Sequence, residues 1–285
     1  MSKPLVKPDV SSMFLDFAKY FELSLALTDE QKANVFRVRY SVYCEEFGYE
    51  DAAAFKDGLE RDAFDEQSIH CLIMHKASGT PAGCVRLVSP QESTQMPFED
   101  HCKGALDQDF FGGFAHRRAS MAEISRLAVD GQFRRRRGEK ATRFGDAESL
   151  HFEAREKRTF SLIAVTLFLA ATAVADLLRR KDCFAIMEPF LPTILRRMGV
   201  IVKRVGEDFE YKGIRAPYYL NIDEVVRDGP DDLRICYEVV RGQFAEVLLP
   251  EGDRIASGLK SEQLDSRIFG LGESLCSNFV SLKSG

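Results

Sequence analysis

Apolar positions recur at helical and strand spacings along most of this chain, and the switches between the two periods outline an architecture. An aromatic-rich amphipathic stretch, Met13 to Phe21, precedes a short apolar strand at Leu23 to Leu27. Thr28-Asp-Glu-Gln31 has the spacing of a capping box and predicts a helix running to about Phe47, stopped at Gly48. Residues 51–68 are polar and loop-like. Two strands follow, His70 to His75 and Gly83 to Val88, joined by a Gly-, Ser- and Pro-containing hairpin connection. Glu123 to Val129 reads as a central strand, and the region from Gly138 to Arg180 reads as helical. A strand at Cys183 to Met187, a helix at Phe190 to Met198 ended by Gly199, and strands at Val200 to Val205 and Tyr218 to Ile222 complete the pattern. This order predicts an α/β fold with a mixed sheet flanked by helices. Beyond residue 226 the pattern weakens, although Leu233 to Leu249 still reads as ordered. The expected division is a domain over residues 1–225 and an appendage over 226–285 packed on it.

Composition narrows the function. The 285 residues are 45% hydrophobic and 29% charged, enough for a packed core. A net charge of −5 argues against a general nucleic-acid binder. Phe160 to Leu178 is the most apolar stretch, but polar residues interrupt it and Arg179-Arg180-Lys181 ends it, so it reads as a buried helix rather than a membrane span. The N-terminus has no apolar core of a signal sequence, and the expected location is the cytoplasm. Seven scattered cysteines without a C-x-x-C pair read as reduced structural thiols. Five histidines at 70, 75, 101, 116 and 151 offer no metal-ligand spacing, so no metal is expected.

Candidate chemistry lies in four places. Arg39 and Tyr43 share a helix face, and a guanidinium beside buried aromatics needs an acidic partner. Nine acidic residues between Glu45 and Glu66 supply such partners, with Asp62 and Asp65 flanking Phe64 just before a strand. They suit either a cationic amine or an ion pair with Arg39 or Arg86. Glu123-Ile-Ser-Arg126 puts charges at both ends of an apolar strand. Strand alternation sends Glu123 and Ser125 to one face and Arg126 to the other. Glu123 then suits a general base with a raised pKa, or a structural ion pair. Arg134, Arg135, Arg136 and Arg137 before Gly138 form a cationic loop fit for a phosphopantetheine arm or an acidic carrier protein, or simply for solvent.

Arg39-Tyr-Ser-Val-Tyr43, Tyr49, Asp62-x-x-Asp65, Gly83-Cys-Val-Arg86-Leu and Glu123-x-Ser-Arg126 occur in one order. That series resembles the signature of acyl-homoserine-lactone synthases and long-chain N-acyl amino acid synthases. The wording of Phe36-Arg-Val-Arg-Tyr, Ile124-Ser-Arg-Leu-Ala-Val and Phe133-Arg-Arg-Arg-Arg-Gly-Glu139 is similar to the PEP-CTERM/exosortase system-associated acyltransferase family. The resemblance covers about residues 20–222. It implies a GNAT fold with a mixed, twisted central sheet, an acyl thioester donor and an amine acceptor. By the same resemblance, Arg39, Tyr43, Tyr49, Asp62, Asp65 and Arg86 surround the acceptor, and Glu123, Ser125 and Arg126 sit at the thioester. The chain departs from lactone synthases in having Tyr43 for Phe and Tyr49 for Trp, where S-adenosylmethionine is held. It departs from coenzyme-A-dependent GNAT enzymes in lacking a second glycine in the loop 134–138. The expectation is therefore N-acylation of a small amino-acid-like acceptor, with no resident cofactor and with acyl carrier protein, ahead of acyl-CoA, as donor. A lipid product would allow peripheral membrane contact. The alternatives are a homoserine-lactone synthase using S-adenosylmethionine, and a non-catalytic acyl-carrier or lipid-binding protein. The apolar helix after Phe160 is expected to help line an acyl channel.

Overall fold

The computed structural model describes residues 10–90, 95–134, 162–197 and 199–249. Eight strands form one mixed sheet. They are β1 (Phe21–Leu25), β2 (Ser68–His75), β3 (Thr80–Val88), β4 (Met121–Val129), β5 (Asp182–Met187), β6 (Lys203–Arg204), β7 (Phe209–Glu210) and β8 (Ile214–Asn221). The order is β1-β2-β3-β4-β5-β8-β6, with β7 also on β8. Every pairing is antiparallel except β4 with β5.

The helices are α1 (Val10–Tyr20), α2 (Asp29–Arg39), α3 (Pro97–His101), α4 (Gln108–Gly112), α5 (Leu162–Leu177), α6 (Leu191–Arg197), α7 (Ile222–Asp228) and α8 (Asp231–Leu248). The capping box at Thr28 is present, with Gln31 closing it reciprocally. Helix α2 then widens into a π-helix over Tyr40–Glu46 and ends before Gly48, whose φ of +61° suits glycine.

Alternate strand residues face different cores. Cys71, Ile73, Val85, Leu87, Ala122, Ile124, Cys183 and Ala185 join α1, α5 and α8 in the main core. On the opposite face, Leu72, Cys84 and Ala128 pack under α2 and the π-helix. There too, Met121, Phe184 and Tyr219 pack with an aromatic cluster from residues 96–114. Tyr43 belongs to the first of these smaller cores, and Glu123 is hydrogen-bonded to Phe98 of the second.

Three differences from the sequence reading matter. Val200 to Val205 contributes only Lys203–Arg204 to the sheet, while Ile214–Asn221 forms a longer strand than expected. Helix α5 lies on the face opposite Glu123, so its apolar residues fill the main core rather than line the reaction centre. Helix α8 shares that main core through Leu233, Tyr237, Val240 and Phe244. Among the described residues, no helix is long and apolar enough to cross a membrane.

Candidate active site

Strands β4 and β5 pair over three positions only, Met121 with Asp182, Ala122 with Cys183 and Glu123 with Phe184. Past Glu123 the two strands part, so the backbone of β4 on that side has no strand partner among the described residues. A parallel pair that opens part-way leaves N–H groups aimed into a cleft.

Glu123 sits at the fork. It shares a sheet face with its partner Phe184, whose ring stacks on Phe98 at 4.7 Å. Its Oε2 accepts a hydrogen bond from Phe98 N–H at 2.7 Å. Burial among these groups pushes the carboxyl up to about 7, against the opposing pull of the Phe98 N–H, Arg86 and Arg126. A carboxyl with a midpoint near neutrality can both take and return a proton.

Beside it lies a ring of paired charges. Arg39, fully buried, donates through Nε to Glu60 and through Nη1 to Asp65 at 2.6 Å. Arg86, also fully buried, donates through Nη1 to Asp62 at 2.6 Å and Asp65 at 2.8 Å, and through Nε to Ser125 Oγ at 3.1 Å. Arg126 Nη2 donates to Asp62 at 3.1 Å and Glu60 at 3.2 Å and lies 3.5 Å from Glu50, which also pairs with Lys212. Asp62 and Asp65 are held by their own turn, since Asp65 accepts from Asp62 N–H at 2.7 Å. Cations Arg39, Arg86, Arg126 and Lys212 thus face an equal number of carboxylates, Glu50, Glu60, Asp62 and Asp65. Such a balance is what makes a buried cluster tolerable. Burial raises Asp65, but Arg39 and Arg86 outweigh it and pull the carboxyl down to about 2. Asp62 is lowered in the same way by Arg86 and Arg126.

The ring is not saturated. Among the described residues, Nη2 of Arg39, Nη2 of Arg86 and Nε of Arg126 are buried without a hydrogen-bond partner, as are both ring nitrogens of His70. His70 Nε2 stands 3.7 Å from Asp65, and burial pushes this imidazole down to about 4, so it is neutral at physiological pH. Spare guanidinium donors of this kind suit an anionic group on a ligand.

Simple alternation fails at Arg126. Between the pairs Cys84–Ala128 and Arg86–Ser125, β3 has one residue, Val85, and β4 has two, Arg126 and Leu127. Arg126 takes a φ of +53° at this bulge. The extra residue turns its guanidinium onto the face of Ser125 and Arg86, a correction to the expected placement across the sheet. The Tyr43 hydroxyl braces the bulge by donating to Leu127 O at 3.1 Å, and its ring lies 5.6 Å from the Arg126 guanidinium.

Tyr49 stands apart from the ring. It stacks on Phe47 at 5.3 Å and lies 5.6 Å from the guanidinium of Arg215. Arg134 is buried, pairs with Glu46 and lies 4.8 Å from the Phe47 ring, so it braces the π-helix instead of standing as an open cationic dock. Arg135, Arg136, Arg137 and Gly138 lie outside the described residues.

The sequence reading missed Glu60, Glu50, Lys212 and Tyr211. Glu60 and Glu50 were two of many acids in a run, and only the fold shows that Glu60 is 1% exposed beneath Arg39. Tyr211 lies in the β7–β8 turn, and burial raises its hydroxyl against the opposing charge of Arg126. Nothing local in its sequence marks it.

Residues 38–143 match the acetyltransferase (GNAT) domain. The chain is similar in fold to TofI in a ternary complex with an inhibitor and MTA. They share 18% identity over 75% of this chain and 99% of that one, with a TM-score of 0.52. It is similar also to FeeM, an N-acyl amino acid synthase from uncultured soil microbes. There the identity is 12% over 73% of this chain and 94% of that one, with a TM-score of 0.50. At these identities the likeness is one of fold. No curated protein matches the chain.

Proposed function

We propose that this GNAT-type acyltransferase moves a long-chain acyl group from acyl carrier protein to the amine of a small amino-acid-like acceptor. The observation that carries the proposal is Glu123, buried, poised near neutrality and set where β4 and β5 part.

In this reading the acceptor enters as an ammonium and gives a proton to Glu123. The free amine attacks the thioester carbonyl, and the carbon–sulfur bond breaks to release the carrier thiol. Backbone N–H groups of β4 past Glu123, on the side with no strand partner among the described residues, stabilise the oxyanion. The spare donors of Arg39, Arg86 and Arg126 favour an acceptor that also bears a carboxylate, and Asp62, 25% exposed in its side chain, lies nearest to solvent among the ring's aspartates. Fit to a carrier protein rather than coenzyme A rests on the sequence of residues 134–138.

Glu123→Gln tests the role of the base. Turnover is expected to fall by about two to four orders of magnitude with donor binding retained. In the wild type, kcat/KM is expected to rise with pH to a midpoint near 7, as Glu123 loses its proton. Wild-type turnover in Glu123→Gln would remove Glu123 from the chemistry. Mass spectrometry of lipid extracts from cells expressing the chain would name both substrates through an N-acyl product. Methylthioadenosine release from S-adenosylmethionine would instead identify a lactone synthase.

A further inference from the structure

The hydrogen bond that steadies Glu123 comes from a short piece of chain outside the sheet. Phe98 N–H belongs to α3, little more than one helical turn. Glu99 fixes that turn from two directions. Its Oε2 accepts from Met96 N–H at 2.6 Å, closing the turn on itself. Both of its oxygens accept from Arg118, Nη1 at 2.9 Å and Nη2 at 2.8 Å. Arg118 begins the 3₁₀ turn Arg118–Ser120 that leads directly into β4. The fork therefore ties the turn bearing Phe98 to the root of the strand bearing Glu123. A two-pronged guanidinium–carboxylate pair sets orientation as well as distance, which a single contact cannot do.

We propose that Glu99 and Arg118 are positioning residues for Glu123, holding the Phe98 N–H against its carboxylate. The inference rests on the reading of Glu123 as the base. Neither residue touches the charge ring. The ionisable groups that face Glu123 are Arg86 from β3, Arg126 from β4, Asp62 from the loop before β2, Cys102 from the end of α3 and Tyr211 from the β7–β8 turn. None of them pairs with Arg118 among the described contacts, and of them only Cys102 also feels the charge of Glu99. The Phe98 N–H favours the ionised carboxylate, so a slackened turn leaves Glu123 protonated to a higher pH.

The test uses the full chain with Arg118→Met and Arg118→Lys. Glu123 is titrated by carbon-13 NMR on glutamate-labelled protein, its signal assigned by loss in Glu123→Gln. The pH profile of kcat/KM is recorded in parallel. In Arg118→Met the carboxyl midpoint and the acid limb are expected to move up together by about half to one pH unit. Arg118→Lys, which keeps the charge without the fork, is expected to move less. If Arg118→Met fails to fold, Glu99→Gln supplies the same comparison with a weakened fork. A wild-type Glu123 midpoint in the folded variant overturns the inference. A midpoint that moves while the acid limb stays put upholds the positioning role and removes Glu123 as the base.

Discussion

Above pH 7 the folded chain must carry the Glu123 charge beside Phe98 and Phe184, where burial opposes it. The unfolded chain ionises the same group near its ordinary value. The folded state therefore keeps its proton to higher pH, and this residue makes stability fall as pH rises from about 4.5 to about 7. Glu123→Gln removes that penalty while leaving an oxygen for the Phe98 N–H. The variant is expected to be more stable than the wild type at pH 8, by roughly 2 kcal/mol, with no advantage at pH 4. Urea denaturation at the two pH values checks this, and a lower midpoint at pH 8 would contradict it. Asp65 behaves with the opposite sign. Its depressed carboxyl stabilises the fold above its ordinary range and withdraws that support as pH falls toward 2.

Elements announced by local chemistry were legible in the sequence. Thr28 and Gln31 mark the start of α2, and the Gly- and Pro-containing connection marks the β2–β3 hairpin. The bulge in β4 was not, because Ile124-Ser-Arg-Leu-Ala128 contains no glycine or asparagine to signal a positive φ. Its left-handed residue is held by ion pairs to Glu60 and Asp62, which lie more than sixty positions away. The same distance in sequence hid Glu60 and Lys212, whose roles depend on which segments the sheet brings together. Gly83 is a contrasting case, where packing rather than backbone conformation demands glycine. A Cβ there would meet Ala128 O at 2.9 Å and the side chains of Ile163 and Leu167 at 3.0 Å. Gly83→Ala is expected to lift α5 from the sheet and destabilise the fold by about 1–3 kcal/mol, read as a lower urea midpoint. An unchanged midpoint would mean that α5 adjusts freely.

The described chain behaves as one packed unit from α1 to α8. Asp176 of α5 binds Lys181, accepts from the Tyr237 hydroxyl at 2.8 Å and from Arg241 Nε at 2.5 Å, pinning α8 across α5. With Leu233, Tyr237, Val240 and Phe244 in the main core, truncation after residue 229 would uncover apolar area worth about 5–10 kcal/mol. That is comparable to the whole stability of a domain, so the truncated chain is expected to aggregate on expression. A soluble product with a cooperative melt would make residues 231–248 a separable appendage. The charge ring carries a different consequence at this scale. Its members are drawn from positions 39 to 212 and balance in number, so a single replacement that removes the charge of a fully buried member, such as Arg39 or Glu60, unbalances the rest. Across a lineage such positions are free to drift only in compensating pairs, and their substitutions should co-vary between segments that share no neighbourhood along the chain.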